Sequence, residues 1–360
     1  MIAPARVMPQ PDESPQARVM VCDDSATIRG AVARILEADP TIRVVARVAN
    51  GQLALDALKH MRVDVLVLDI EMPVMDGMTA LPLLLRADPG LKIIMASTLT
   101  TRGAEIAMRA LRLGAADYVP KPSAVVGDTT FRTELLEKVK GLARLRRRLT
   151  QPAREAVALG LRAAPVLVPR LLAVGSSTGG PQALFTLVQG LGKTLAVPVV
   201  MTQHMPATFT PILAEHITKL GCLPCAEAKS GEPLQAGRIY LAPGDRHLLV
   251  EQARGGLQAR LTTDPPENFC RPSVDPMLRS AATACDGRVL IAMLTGMGQD
   301  GLAGTRRVIE AGGAAIAQDE ATSVVWGMPG AITQAGLCHA VLPLPRIAPK
   351  LLDLLRAARA

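Results

Sequence analysis

Residues 18–29, RVMVCDDSATIR, set an apolar, β-branched run against two adjacent acids and then a helical pattern. A strand that ends in acids and turns into a helix opens a βαβ unit, and open α/β sheets build their sites at that carboxyl edge. The pattern repeats down the chain. Further strands are expected at Arg43 to Val48, Val63 to Leu68, Lys92 to Ala96 and Asp117 to Val119, with helical patterns starting near Ser25, Gln52, Thr79, Thr101 and Thr133. Such an alternation gives one doubly wound parallel-sheet domain, expected over residues 17–148. Residues 149–169 contain Pro152, Pro165 and Pro169 in an Ala-rich context and read as a linker.

Beyond it the alternation restarts. Leu171 to Val174, Val197 to Thr202, Arg238 to Leu241, Val289 to Leu294 and Ala314 to Ala317 are apolar runs bounded by turn residues, so a second doubly wound domain is expected over residues 170–356. His247 to Glu251 and Leu257 to Leu261, separated by Gly255-Gly256, read as an inserted hairpin. The length of 360 residues agrees with two domains, because single cores stop growing at about 250 to 300 residues.

Composition narrows the class. Hydrophobic residues at 49% and charged ones at 20% exclude a disordered chain, and no apolar run approaches the roughly 18 residues of a membrane span, so no membrane insertion is expected. Residues 1–16 carry prolines and acids where an export signal needs an apolar core; they read as a loose leader on a cytoplasmic protein. Six sparse cysteines fit a reducing compartment, and the Cys222/Cys225 pair lacks a second pair at metal spacing. Of the net charge of +8, +6 falls in residues 124–170 around the cluster Arg144 to Arg148. That suits a solvated connecting helix, and with 2% aromatic residues no nucleic-acid partner is expected.

In the first block Asp23 and Asp24 end the first strand, Asp69 ends the third, Ser97 follows the fourth and Lys121 lies in the turn after the fifth. Three carboxylates in one crevice repel one another, which a hard divalent cation such as Mg²⁺ relieves; the alternative is that Asp23 or Asp24 caps the first helix. In order, VCDDSA, LDIEMPVMDG, ASTLT and DYVPKP resemble the receiver domain of two-component response regulators. The resemblance implies that Asp69 accepts a phosphoryl group from a histidine kinase and that Asp23, Asp24 and Asp69 hold Mg²⁺. It also implies that Ser97 and Lys121 sense the phosphoryl group and that Tyr118 is the aromatic switch.

In the second block LLAVG runs into SSTGG, so Gly175 to Gly179 satisfies G-x-S-x-G at a strand-to-helix turn, with Ser177 at the exposed position. A dinucleotide fingerprint fails at Ser177 and a Walker loop lacks its Gly-Lys; a Gly-Ser turn that only caps the next helix stays open. His204, directly after VPVVMTQ, shares that sheet edge and is the favoured base, with His247 in reserve. Asp300, after VLIAMLTGMGQD, is the favoured acid, ahead of Asp275 and Asp245. Backbone N–H groups around Gly296 and Gly298 suit an oxyanion hole or an anion-binding nest.

Together GSSTGGPQAL, TQHMP, YLAPGDRHL, RPSVDPML, LTGMGQDG and VVWGMPGA resemble the catalytic domain of the chemotaxis protein-glutamate methylesterases, the CheB family. The resemblance implies that Ser177 is the nucleophile, His204 the base and Asp300 its orienting acid, with Met297 and Thr178 at the oxyanion hole and no cofactor for the esterase. The implied substrates are glutamate methyl esters and glutamines on methyl-accepting chemotaxis receptors, under control of the phosphorylated receiver. Ser176 is a departure, since the family commonly has Ala there. A receiver-linked transcription regulator and a phosphate-sensing adaptor are the rival readings.

Overall fold

The computed structural model describes residues 16–98, 100–121, 129–148 and 168–357. The chain begins β1 (Ala17–Cys22), α1 (Ala26–Glu37), β2 (Ile42–Val48), α2 (Gly51–Leu58), β3 (Val65–Asp69), α3 (Gly77–Ala87), β4 (Lys92–Ser97), α4 (Thr101–Arg112), β5 (Asp117–Pro120) and α5 (Thr129–Arg148). These strands form one parallel sheet in the order β2-β1-β3-β4-β5. Helices cover both faces, so the central strands must be apolar on both, and VLVLD of β3 is buried throughout. Helix starts are fixed locally: Ser25, Asn50, Asp76 and Thr100 each accept a backbone N–H from the first turn of the following helix. Ser25, and not Asp23 or Asp24, caps α1, while Asp23 Oδ1 accepts the Ser25 N–H at 2.9 Å.

The second unit runs β6 (Leu171–Ser176), α6 (Gly180–Leu191), β7 (Val199–Gln203), α7 (Thr210–Thr218), β8 (Cys225–Glu227), β9 (Ile239–Leu241), β10 (His247–Ala253) and β11 (Gly256–Thr262). It continues α8 (Val274–Ala284), β12 (Val289–Met293), α9 (Leu302–Glu310), β13 (Ala314–Gln318), α10 (Met328–Gln334), β14 (Ala340–Leu342) and α11 (Leu344–Ala357). Its seven-stranded sheet has the order β14-β13-β12-β6-β7-β9-β8, and every pairing in it is parallel. The hairpin β10-β11 stands outside this sheet and packs on α8. The chain is thus α/β, with two doubly wound parallel sheets. The edge strands β8 and β14 span only three residues each, too short to leave a periodic signal. Of the expected linker, residues 149–167 lie outside the described residues.

The two units share an apolar contact. Ala104, Ala107, Met108 and Leu111 of α4 are buried in one continuous cluster with Leu184 of α6 and Leu213 and Ile217 of α7. On the other side Val324 joins the core formed by Phe131, Leu135 and Leu142 of α5. The arginine cluster departs from the expected solvated face. Arg146 is 8% exposed and donates to Asp88 at 2.7 Å, while Arg144 reaches across to Glu320 at 2.9 Å. A guanidinium can bury its stem and still pair its charge, which is how a basic run ends inside a contact. Among the described residues no helix is long and apolar enough to cross a membrane.

Candidate active site

The sheet topology brings two separate sets of residues to carboxyl edges. In the first, ligand oxygens of Asp23, Asp24 and Asp69 all lie within 4.8 Å of one another. Lys121 Nζ is 2.6 Å from Asp69 Oδ1 and 3.5 Å from Asp23 Oδ2. Burial and then Asp69 push the Asp23 carboxyl up, and burial pushes Asp69 up against the opposing charge of Lys121. Asp69 Oδ2 is buried with no hydrogen-bond donor among the described residues. An all-oxygen set with excess negative charge and an unpartnered carboxylate oxygen fits a hard divalent cation such as Mg²⁺. Ser97 is turned away from this crevice in its bonding, donating to the Gly103 carbonyl at 2.8 Å.

Tyr118 is not solvated. Its ring stacks on Phe209 of the second unit with centroids 4.7 Å apart and planes 13° from parallel. Beside it, fully buried Asp117 accepts the backbone N–H of Gly179 at 2.9 Å through Oδ2, and Lys138 Nζ lies 3.4 Å from Oδ1. The first unit therefore holds the Gly-Ser turn of the second by a carboxylate.

That turn is the core of the second set. Ser177 N–H donates to the Thr295 carbonyl at 3.0 Å, and Thr295 Oγ1 donates to the Thr178 carbonyl at 2.9 Å. Gly179 has φ 74°, and a Cβ there would strike Val324, so both conformation and space require glycine. Gly296 has no room either, since a Cβ would sit 2.9 Å from the Ser177 Cβ. This close approach sets the 296–298 loop against Ser177. The N–H groups of Thr178 and Met297 have no acceptor among the described residues, as an oxyanion hole requires.

His204 continues β7 just as Ser177 continues β6, with Ser176 paired to Gln203 in register. Gln203 Nε2 donates to the carbonyls of both Ser177 and His204, at 2.9 and 3.1 Å, and its Oε1 accepts from Ser176 at 2.7 Å. His204 Nε2 meets Asp300 Oδ2 at 2.7 Å. Asp300 also accepts Ser273 Oγ at 2.7 Å, Asn268 Nδ2 at 2.9 Å and the backbone N–H groups of Val274, Asp275 and Gly301. Burial alone would raise its pKa, but His204 and these donors prevail and hold it down to about 2. An ionised, acceptor-only Asp300 requires the proton of the neutral imidazole on Nε2, leaving the lone pair on Nδ1. That nitrogen lies 3.4 Å from Cys270 Sγ, while Ser177 Oγ has no hydrogen-bond partner among the described residues.

The reserve residues are accounted for. His247 accepts the Ser273 N–H at Nδ1 and meets the Pro265 carbonyl through Nε2, which makes it a strut for the α8 entrance. Asp275 Oδ1 accepts the Gly304 N–H, and Asp245 pairs with Arg271. Cys222 and Cys225 are free thiols, and no metal-ligating cluster includes them among the described residues. Sequence reasoning missed Gln203, Asn268, Cys270 and Asp117, whose partners come from distant segments and leave no local motif.

Two family profiles match the chain: CheB methylesterase over residues 172–351 and response regulator receiver domain over residues 19–126. The chain belongs to the CheB methylesterase family. A relative from Azospirillum brasilense named protein-glutamate methylesterase/protein-glutamine glutaminase is 55% identical over 358 residues, covering 92% of this chain and 91% of that one. A relative from Rhodospirillum centenum, of the group 2 operon, is 54% identical over 365 residues, covering 92% of each chain. The crystal structure of the Thermotoga maritima CheB methylesterase catalytic domain aligns with a TM-score of 0.51 and 38% identity, over 52% of this chain and 98% of that one. CheB membership joins a receiver to a methylesterase domain, the same pairing that the two sheets display.

Proposed function

We propose that this chain is a cytoplasmic, phosphorylation-activated protein-glutamate methylesterase and glutaminase that acts on chemoreceptors in sensory adaptation. Residues 17–148 are its receiver and 170–356 its catalytic domain. The observation that carries the reading is the pair His204–Asp300 at 2.7 Å on the sheet edge that also presents Ser177 on its glycine-bound turn. Ser177 Oγ attacks the ester carbonyl while His204 Nδ1 takes its proton, and Asp300 keeps the second ring proton on Nε2. The N–H groups of Met297 and Thr178 receive the oxyanion. His204 then protonates departing methanol, and water activated by the same nitrogen hydrolyses the acyl-enzyme. A glutamine amide entering this path loses ammonia instead. Incubation with a serine-directed acylating probe should label the peptide containing Ser177, and absence of label would remove the nucleophile from the scheme.

The imidazole sets the pH dependence. Burial opposes its charged form, yet Asp300 and Cys270 outweigh burial and push His204 up to about 10. Only the neutral ring is a base, and a raised pKa moves its appearance to higher pH. The kcat/KM for ester hydrolysis should therefore still be rising in the range where an ordinary imidazole, with pKa about 6.5, is already neutral. A profile flat above neutrality would contradict this assignment.

Regulation follows from the contact between units. Asp69 accepts the phosphoryl group from a histidine kinase, with Asp23 and Asp24 completing the Mg²⁺ set and Lys121 as the fixed cation. The bound ion would neutralise charge developing on the phosphoryl oxygens. Ser97 and Tyr118 report the change, and Tyr118 is already stacked on Phe209 beside the Asp117 hold on Gly179. Repacking at Tyr118 loosens that hold and uncovers the edge for a bulky protein substrate. A coupling of about 1 to 3 kcal/mol corresponds to roughly 5 to 150-fold activation. The fragment 170–360 should exceed the unphosphorylated whole chain in rate, and Asp69→Asn should not respond to acetyl phosphate plus Mg²⁺. An excised domain no faster than the intact chain, together with an intact chain indifferent to acetyl phosphate, would reject the inhibitory contact while leaving the triad standing.

A further inference from the structure

The segment between β11 and α8 places a thiol on the base. Glu267 and Cys270 exchange both backbone hydrogen bonds, at 3.1 and 3.0 Å, around Asn268 and Phe269 at φ 53° and 62°. Those dihedrals are those of a tight two-residue turn that leaves its ends little freedom. Arg279 grips the Glu267 carboxylate with two hydrogen bonds of 2.5 and 2.6 Å, and Asn268 Nδ2 bridges Asp275 Oδ2 and Asp300 Oδ1 at 2.9 Å each. Cys270 is thereby held with its sulphur 3.4 Å from His204 Nδ1. Since Asp300 occupies Nε2, Nδ1 is the nitrogen that must receive the serine proton.

We infer that Cys270 is a positioning residue of the esterase, the resting partner of the base nitrogen that Ser177 displaces when substrate binds. The inference rests on the esterase reading above. A sulphur contact suits this duty. It is long and weak enough to be given up when the Ser177 oxygen approaches, yet it keeps the imidazole plane from swinging about its Asp300 bond. The other cysteines differ. Cys22, Cys225, Cys285 and Cys338 are buried, and Cys222 sits against the Leu220 carbonyl.

The titratable groups around the ring are Asp300 from the turn before α9 and Cys270 itself, with Asp275 at the start of α8 and the Glu267–Arg279 pair one step further out. Of these, Asp300 and Cys270 touch the imidazole, each as an acceptor facing one N–H of the protonated ring, and so favour that form. Removing the sulphur should therefore bring the neutral ring in at lower pH.

The test uses the full-length chain as wild type, Cys270→Ala, Cys270→Ser and, as control, Cys222→Ala. His204 titration is followed by NMR of the imidazole, and kcat/KM by methanol release from methylated receptor. In Cys270→Ala both the titration and the acid limb should move to lower pH by about one unit, whereas Cys222→Ala should overlay the wild type. Iodoacetamide should reduce wild-type and Cys222→Ala turnover at least about tenfold and spare both Cys270 variants. Coincident titrations in all four proteins would overturn the inference. So would wild type alkylated at Cys270, verified by mass, that works as fast as untreated enzyme; this arm decides the matter if neither variant folds. A shifted His204 titration in a chain that releases no methanol would sustain the thiol contact and reject the esterase reading instead.

Discussion

Ser177→Ala is expected to lower methanol release from methylated receptor by at least about 10³-fold, with an unchanged circular-dichroism spectrum. A Ser-His-Asp triad acts as a unit, so if Ser177 is the nucleophile its loss should leave only what substrate binding and oxyanion donors supply. The neighbouring hydroxyl cannot substitute. Ser176 is fully buried with its Oγ committed to Gln203 at 2.7 Å, on the opposite side of the alternating strand. Ser176→Ala should stay within about tenfold of wild type, its loss arising from an unpaired Gln203 oxygen worth about 1 to 3 kcal/mol of stability. Similar losses in the two variants, measured by steady-state kinetics, would show that the nucleophile is wrongly assigned.

Asp300→Asn should cost roughly 10² to 10⁴-fold in turnover, because an amide nitrogen facing the ring selects the other tautomer and removes the lone pair from Nδ1. The structure adds a stability effect that the tautomer argument omits. Asp300 serves five hydrogen-bond donors besides His204, and an amide presents its own N–H groups to some of them. The folded-state pKa near 2 lies below the unfolded value, so this contribution is present above about pH 4 and is lost as pH falls through about 2. Urea unfolding at pH 7 should find the variant less stable, and the gap should narrow on acidification. Equal stability at both pH values would mean that the donor cluster is satisfied without the charge.

How far these residues could be read in advance depended on whether their partners were local. The apolar runs of β3, β6, β7 and β12 and the acids or hydroxyls at their ends are contiguous in sequence, and strand ends converge on one edge by topology alone. That is why the placement of Ser177, His204 and Asp300 along one sheet edge, and of Asp23, Asp24, Asp69 and Lys121 along the other, could be expected from the sequence. The ring orientation of His204 was not, because it is decided by six donors that reach Asp300 from residues 204, 268, 273, 274, 275 and 301. Arg146 read as solvated because a charge run carries no sign of Asp88, 58 residues away. Asp117 looked like the start of a strand, and only the packing of two domains reveals its bond to Gly179, 62 residues distant.

Trp326 is the one tryptophan of the chain, and its surroundings give it an optical use. It pairs as a β-bridge with Gly296, the glycine pressed against Ser177, and its indole N–H donates to the Gln318 carbonyl at 2.9 Å. Two residues before it, Val324 is packed into the receiver core, and Glu320 is held by Arg144. The indole thus sits on the short stretch of chain that joins the domain contact to the loop packed against Ser177. If phosphorylation releases the receiver as proposed, its emission should change in a stopped-flow cell as acetyl phosphate and Mg²⁺ are added, with no second tryptophan to dilute the signal.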